Sequence, residues 1–224
     1  DSFVAREGYS YVLSDYDQLE LRVLAHFAQE EAMLEAIRNE EDLHSFVARR
    51  LYGDNFTKEQ RQTAKNANFA KGYGAGIPKF AETAGIPLPA AEEFMLAYDA
   101  MFPGITRFQQ EVITPVQQQG YVETILGRKI PVEKDEAYKG TNYLTQSSAT
   151  ADLIKLKIVE CSAAGIGEFF RLPIHDELMF EVPDEYLEDV CPIIQEVMTE
   201  TELFLAPCTA KPDVYKRWGD KYRD

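Results

Sequence analysis

Cysteine is scarce in this sequence, with only Cys161, Cys191 and Cys208, and no CxxC pair occurs. This scarcity excludes the usual zinc-site spacing and a disulfide framework, and it favours a reducing, intracellular environment. No segment approaches the roughly 20 consecutive apolar residues that a membrane helix needs, so we expect no membrane partner. Basic residues are also few, with 23 Lys and Arg against 38 Asp and Glu.

The net charge of −15 argues against a nucleic-acid partner, because phosphate contacts need Lys and Arg. The charge is uneven along the chain, however. Residues 38–79 contain eight Lys and Arg against five Asp and Glu. A locally basic surface is therefore compatible with an acidic chain.

Periodicity and turn signals predict a mixture of helices and antiparallel strands. The predicted helices cover residues 18–39, 42–51, 57–73, 90–101, 103 onward with a bend or break at Pro115, 149–164 and 184–201. The predicted strands are residues 9–15, a hairpin over 121–132, a hairpin over 171–182 with its turn at 175–177, and a last strand near 208–214. Gly72, Gly74, Gly76 and Pro78 should end the 57–73 helix. This order of elements indicates an α+β architecture.

Two aspartates lie at the ends of predicted strands. Asp15 ends the first strand and Asp176 occupies a hairpin turn, positions from which a rigid scaffold can present a charge to a cleft. If the two carboxylates met, they would need a cation between them, and oxygen ligands suit Mg²⁺. Two such ions can activate a hydroxyl and stabilise a leaving phosphate oxygen. Taken singly, each aspartate could equally be a turn-former or a helix cap.

The helix predicted over 57–73 carries Arg61, Lys65, Phe69 and Tyr73 at every fourth position, which places two cations and two rings along one face. Cations can hold a polyphosphate, and an aromatic ring can stack on a base. The alternative is an ordinary amphipathic helix. His44, on the preceding helix, is either structural or a further donor to the same phosphates.

With these residues named, the sequence resembles family A DNA polymerases, the DNA polymerase I type. Five motifs match in the family's order and spacing over nearly the whole chain. They are DYDQLELR from Asp15 to Arg22 (family DYSQIELR), Arg61 to Gly74 (R-x3-K-x3-F/Y-x3-YG), YVETILGR from Tyr121 to Arg128 (YVETLFGR), Asn142 with Gln146 (N-x3-Q), and His175-Asp176-Glu177.

The resemblance implies a role for each matching residue. Asp15 and Asp176 would hold two Mg²⁺ ions together with the Tyr16 carbonyl, with Glu177 nearby as a further ligand candidate. The residues implied in binding the incoming deoxynucleotide are Glu20, which would reject ribose, His44, Arg61, Lys65, Phe69 and Tyr73. Lys65 is also implied as proton donor to the pyrophosphate. The residues implied in contacting primer or template DNA are Arg128, Asn142, Gln146 and His175.

The resemblance also implies a right-hand polymerase fold with an antiparallel palm sheet and a mainly helical fingers subdomain. The first part of the palm would be residues 1–36, the fingers 37–146 and the second part of the palm 147–224. The thumb, the first palm segments and any exonuclease domain would be missing, so we expect this chain to be part of a longer parent protein. Asp17, Ala70, Tyr138 and a short 129–141 loop depart from the family pattern and suggest a viral or divergent member.

The expected reaction is template-directed transfer of a deoxynucleotide to a primer 3′-hydroxyl, in the cytoplasm of a bacterium or a virus-infected host. We expect the chain alone to be weakly active or inactive. Two alternatives remain open: a single-subunit RNA polymerase, and a nucleic-acid-binding or structural piece without activity.

Overall fold

The computed structural model describes residues 3–199 and 202–222 and contains two compact units. The sheet unit comprises Asp1–Leu19, Ala149–Leu203 and Pro207–Asp224. The helical unit comprises Glu20–Ser148 and Phe204–Ala206. The chain therefore enters the helical unit just after its first strand and returns to the sheet unit near residue 149.

Strands and helices in the described residues have the following bounds. The strands are β1 (Tyr9–Tyr16), β2 (Tyr121–Glu123), β3 (Lys129–Pro131), β4 (Phe170–Ile174), β5 (Glu177–Pro183) and β6 (Ala210–Tyr215). The α-helices are α1 (Leu19–Ala28), α2 (Glu31–Arg38), α3 (Leu43–Tyr52), α4 (Lys58–Gly72), α5 (Ile77–Ala84), α6 (Leu88–Met101), α7 (Pro103–Gln119), α8 (Gly140–Gln146), α9 (Ile154–Ala163) and α10 (Leu187–Thr199). Shorter 3-10 turns cover Lys134–Lys139, Gly167–Phe169, Asp184–Tyr186 and Trp218–Tyr222, and a π-helix covers Ser147–Leu153.

The sheet unit is built on a four-stranded sheet in the order β4-β5-β1-β6. Each neighbouring pair is antiparallel. β1 is an inner strand and is buried almost throughout, as expected for a strand covered on both faces. Helix α10 packs against β1, β5 and β6. This register places the C-terminal end of β1 beside the N-terminal end of β5.

The helical unit has its own apolar core, and its helices begin where the sequence supplies caps. Asp42 accepts a hydrogen bond from the Ser45 N–H at the start of α3, which ends at Gly53. Thr57 and Gln60 form a capping box at the start of α4, with hydrogen bonds of 2.8 and 3.2 Å. A capping box satisfies two backbone donors that a helix start leaves unpaired. These two predicted helix starts are confirmed.

The single helix predicted over residues 18–39 is wrong, because α1 ends at Ala28 and α2 begins at Glu31. Gln29 adopts a left-handed conformation with φ of 46°. The buried Glu30 side chain accepts a hydrogen bond of 2.8 Å from the Gly104 N–H. A tertiary contact over more than 70 residues therefore stabilises a break that local periodicity does not reveal.

Two prolines that were expected to end, bend or break a helix lie within helices. Pro78 does not merely follow a helix end: it lies in the first turn of α5, where a missing N–H costs nothing. Pro115 does not break α7, which continues to Gln119. The strand predicted at the start of the 129–141 segment is β3, and the rest of that segment contains the Lys134–Lys139 turn and the start of α8 at Gly140.

The remaining predicted helices and strands are present, but several begin or end at other residues than predicted. Both predicted hairpins are present, although β2 and β3 are three residues each. The helix predicted over 149–164 begins as a π-helix, and the one over 184–201 begins with a 3-10 turn; its predicted end at Thr201 lies outside the described residues. In the described residues, none of the helices combines the length and apolarity needed to span a bilayer. None of the three cysteines, all of which lie in the described residues, forms a disulfide.

Candidate active-site residues

Three acidic residues lie close together along the backbone where β1 and β5 are paired in the sheet unit. Asp15 pairs with Glu177 across the antiparallel ladder, and the Tyr16 N–H donates to the Asp176 carbonyl oxygen at 3.3 Å. Asp15 is exposed, Asp176 is half-buried and Glu177 is buried. The structure thus brings together the two strand ends that carry the predicted metal ligands, although they are more than 160 residues apart in sequence.

Lys221 supplies positive charge at this cluster. Its Nζ donates to Asp15 Oδ2 at 2.9 Å and also makes a short hydrogen bond to Glu177 Oε2. The lysine side chain is 18% exposed and that of Glu177 is 4% exposed, whereas Asp15 is 45% exposed. One ammonium group therefore bridges an accessible carboxylate and a buried one.

The pKa shifts agree with this arrangement. Burial raises the pKa of Glu177, and the neighbouring Asp15 adds to the rise, while hydrogen bonding from Lys221 opposes it. Burial alone would lower the pKa of Lys221, but its hydrogen bonds to the two carboxylates raise it above the ordinary value. Lys221 is therefore held as a cation beside carboxylates that need a counter-charge.

The donor chemistry at this end of the sheet fits a hard cation such as Mg²⁺, because Asp15, Asp176 and Glu177 offer only oxygen. The Lys221 ammonium shows that a positive charge is accommodated between two of these carboxylates. Within residues 3–199 and 202–222, no group of three or more His, Cys, Asp and Glu side chains is already arranged as a metal site. The fit is therefore one of ligand type and charge.

Two neighbours complete this region. His175 is exposed and has a left-handed φ of 59°, a conformation that suits the tight turn between β4 and β5. The Tyr16 hydroxyl donates to the Met198 carbonyl oxygen at 2.6 Å and is buried. Burial raises the pKa of Tyr16, so its side chain is a neutral anchor and only its main chain is a ligand candidate.

In the helical unit, Arg61 is held by the residue that caps the neighbouring helix. Its Nη2 donates to both carboxylate oxygens of Asp42 at 2.9 Å, and its Nε donates to Asp42 at 3.1 Å and to Ser45 Oγ at 3.0 Å. Burial opposes ionisation of Asp42, but hydrogen bonds from Ser45 and Arg61 lower its pKa below the ordinary value. Asp42 therefore both starts α3 and orients the guanidinium on α4.

The other predicted nucleotide-binding residues of α4 follow one another along its face. Lys65 Nζ lies 5.9 Å from the centre of the Phe69 ring, and the Phe69 and Tyr73 rings are stacked with centres 5.9 Å apart. The His44 ring, on α3, lies 5.8 Å from that of Phe69. The helix thus presents cations and then rings, as its four-residue spacing predicts.

Glu20 lies against the C-terminal end of the same face. The Tyr73 hydroxyl donates to Glu20 at 2.9 Å, and the Gln146 amide donates to it at 3.5 Å. Glu20, Phe69, Tyr73 and Asn142 also line a small cavity of about 10 Å³. Predicted residues from α1, α4 and α8 therefore meet within the helical unit.

The Arg128 guanidinium donates to the Ser147 carbonyl oxygen at 3.3 Å, and Arg128 is exposed in the turn between β2 and β3.

Gly74 has φ of 66°, and a Cβ there would lie 2.7 Å from the Tyr138 carbonyl oxygen. Only glycine fits this close approach without displacement. Tyr73, Gly74, Tyr138 and Asn142 line a second cavity of about 510 Å³.

Sequence reasoning missed Lys221 and treated Asp42 only as a helix start. It also gave no role to Asn68 and Tyr98, which share a buried hydrogen bond of 2.8 Å, with Asn68 also 3.0 Å from His44. Asn68 is fully buried among the alanines of α4, so a polar residue on an otherwise apolar helix face was the available signal. Lys221 carries no local signal, because its role arises only from its contacts with Asp15 and Glu177.

Comparisons with known proteins agree with these features. The model of DNA polymerase family A matches residues 1–220. A DNA polymerase of Mycobacterium phage D29 is 33% identical over 223 residues, covering 98% of this chain and 36% of the phage protein. DNA polymerase I of Pseudomonas aeruginosa is 28% identical, covering 99% of this chain and 26% of the bacterial protein. A solved structure, the POL domain of Pol1 from M. smegmatis in complex with DNA primer-template and dNTP, superposes with a TM-score of 0.86 at 28% identity, covering 97% of this chain and 41% of that one.

The fold is thus that of a polymerase domain, α+β with an antiparallel sheet and a mainly helical unit. The chain belongs to DNA polymerase family A. It spans between about a quarter and about a third of the length of these curated relatives.

Proposed function

We propose that this chain supplies the catalytic aspartates and the nucleotide-binding helix of a template-directed DNA polymerase. The reaction joins a primer 3′-oxygen to the α-phosphate of a deoxynucleoside triphosphate and releases pyrophosphate. The observation that carries the proposal is the pairing of β1 with β5, which brings the Asp15 and Asp176 strand ends together with Glu177. Family membership supports it, as does the likeness to the M. smegmatis domain, which was solved with DNA primer-template and dNTP.

In this proposal Asp15, Asp176 and the Tyr16 carbonyl would hold two Mg²⁺ ions, with Glu177 as a nearby carboxylate. The ions, when bound, lower the charge on the phosphates and favour ionisation of the primer hydroxyl. The protein contributes a fixed place for these charges on the rigid β1 and β5 strands. Lys221 balances Asp15 and Glu177 when no divalent ion does so.

The triphosphate would bind along α4. Arg61, oriented by Asp42, and Lys65 supply positive charge, and His44 donates a hydrogen bond to the same phosphates. Lys65 is also the proposed proton donor to the departing pyrophosphate. Positioning and electrostatic stabilisation account for most of the catalysis in phosphoryl transfer. The protein therefore needs these contacts with the triphosphate and no covalent intermediate of its own.

The aromatic rings of Phe69 and Tyr73, together with Glu20, would select the sugar and the base. Phe69 would pack on the nucleotide, and Tyr73 would guard the position of the template base. Glu20, which accepts hydrogen bonds from Tyr73 and Gln146, would crowd the 2′ position and reject ribonucleotides.

Primer-template DNA would contact Arg128, Asn142, Gln146 and His175. We also propose that the full reaction needs the thumb and first palm segments of a longer parent protein. Because the curated relatives are phage and bacterial polymerases, the proposed setting is the cytoplasm of a bacterial or virus-infected cell.

Primer extension on a template with a 5′ overhang tests the proposal. The longer parent polypeptide should add the template-complementary deoxynucleotide in the presence of Mg²⁺, and this chain alone should add little or none. Asp176→Asn in the parent should reduce addition by about a thousandfold. The matched control is Asp184→Asn, an exposed carboxylate of the sheet unit that pairs with Lys216; it should leave extension unchanged.

Three outcomes would count against the proposal. Equal use of ribonucleotides would favour an RNA polymerase. DNA binding without synthesis by the parent would favour a non-catalytic module. Robust processive synthesis by this chain alone would contradict the proposed need for the remaining segments.

A further inference from the structure

Three helices of the helical unit are joined by a buried chain of polar side chains that includes His44. The Tyr98 hydroxyl on α6 donates to Asn68 Oδ1 on α4 at 2.8 Å. Asn68 Nδ2 lies 3.0 Å from His44 Nδ1 on α3. Tyr98 and Asn68 are fully buried, and His44 is 5% exposed. Water cannot easily replace any of these hydrogen bonds, so their direction is constrained.

The direction of the first hydrogen bond fixes the second. Because Asn68 Oδ1 accepts from the Tyr98 hydroxyl, the amide turns its NH₂ group toward His44. An NH₂ group can only donate, so His44 Nδ1 must accept. A neutral imidazole has one donor and one acceptor nitrogen, and the proton therefore lies on Nε2.

We propose that Asn68 and Tyr98 are positioning residues that hold His44 in the Nε2–H tautomer, with this N–H as the donor to the nucleotide phosphates. The inference rests on the proposed phosphate-binding role of His44. In the opposite tautomer, Nε2 would be an acceptor and would face phosphate oxygens that are also acceptors. The Asn68 amide thus favours the tautomer in which His44 attracts the triphosphate.

The location of the relay supports this role. Asn68 precedes Phe69 on the proposed nucleotide-binding helix, and the His44 ring lies 5.8 Å from the Phe69 ring. His44 also lies two residues after Asp42, which orients Arg61. The Tyr98–Asn68 pair therefore fixes one phosphate donor on α3, while Asp42 fixes another on α4.

Long-range ¹⁵N–¹H NMR of the histidine-labelled chain measures the tautomer directly, with the His44 signals identified by their loss in His44→Ala. The wild-type chain should show an unprotonated Nδ1 and a protonated Nε2. Tyr98→Phe removes only the hydroxyl that orients the amide, and Asn68→Leu removes the donor, so both variants should show mixed tautomers. Tyr11→Phe, which deletes a hydroxyl that donates to Val4 in the sheet unit, is the control and should leave His44 unchanged.

A double-mutant cycle then connects the tautomer to binding, with Mg²⁺ and dATP as the probe in calorimetry. Asn68→Leu should weaken binding about five- to tenfold in the wild-type background. In a His44→Ala background it should cause no further loss, because the residue through which it acts is gone.

The inference is overturned if wild-type His44 carries its proton on Nδ1, if both variants keep the wild-type tautomer, or if Asn68→Leu weakens binding equally without His44. A failure of the underlying functional proposal looks different. In that case His44→Ala would leave triphosphate affinity unchanged although the NMR spectra still showed the predicted tautomer.

Discussion

Replacing Lys221 by methionine tests whether the acidic cluster at the end of β1 and β5 is built for a cation. The variant keeps the aliphatic stem but removes the ammonium that bridges Asp15 and Glu177. Glu177 is almost fully buried, so it would be left with an uncompensated charge. Removing one partner of a fully buried ion pair costs about 3–5 kcal/mol.

Two features of the site make the expected loss of stability smaller than about 3–5 kcal/mol. Asp15 is nearly half exposed, so the loss of its ion pair with Lys221 contributes little to the loss of stability. Glu177 can also take up a proton, which for an ordinary carboxyl group at pH 7 costs about 3.7 kcal/mol, and burial of Glu177 lowers this cost. We therefore expect a loss of about 2–3 kcal/mol in metal-free buffer, equivalent to a fall in Tm of about 5–10 °C.

The assay is thermal unfolding with EDTA or with excess Mg²⁺. Mg²⁺ should raise the Tm of Lys221→Met more than that of the wild-type chain, because the ion replaces the missing charge. The control is Lys216→Met, whose ion pair with Asp184 is largely exposed; it should change Tm little and respond to Mg²⁺ as the wild type does. An unchanged Tm of Lys221→Met in EDTA, or an equal response of both variants to Mg²⁺, would show that Lys221 does not occupy a cation site between Asp15 and Glu177.

Further substitutions test the helical unit. Phe69→Tyr should reduce discrimination against dideoxynucleotides, because the new hydroxyl can replace the missing 3′-OH; equal incorporation ratios in primer extension would contradict this. Asp42→Ala should destabilise the chain at pH 7 by about 1 kcal/mol or more in urea unfolding, since it removes a helix cap and an ion pair. Because the folded-state pKa of Asp42 is lowered, this contribution is present above its ordinary pKa and is lost as the pH falls through the lowered value, so an effect independent of pH would be inconsistent. Gly74→Ala should cost more than Gly85→Ala: both have φ of 66°, but only at Gly74 would the new methyl group meet a carbonyl oxygen, at 2.7 Å. Equal losses of stability would show that this contact is unimportant.

Local chemistry made much of the fold predictable from sequence. The helix starts at residues 42 and 57 and the strand over residues 9–15 were predicted from short-range signals, and the corresponding helix and strand starts were confirmed. The break between α1 and α2 was not predictable in this way, because Glu30 is fixed by its hydrogen bond to Gly104.

The candidate site shows the same division. The four-residue spacing on α4 indicated which side chains share a face, and the motifs indicated the two aspartates. Lys221 and the Tyr98–Asn68 pair act through contacts between segments distant in sequence, so their roles required three-dimensional coordinates. The roles assigned to the individual site residues remain predictions.

Anomalous diffraction from crystals of the longer parent protein, grown with Mn²⁺, primer-template DNA and a deoxynucleoside triphosphate, would locate the metal ions relative to the two aspartates. We expect manganese peaks bounded by the carboxylates of Asp15 and Asp176, with the triphosphate beside Arg61 and Lys65. Manganese bound to the triphosphate but remote from both aspartates, in crystals that still extend the primer, would contradict this expectation.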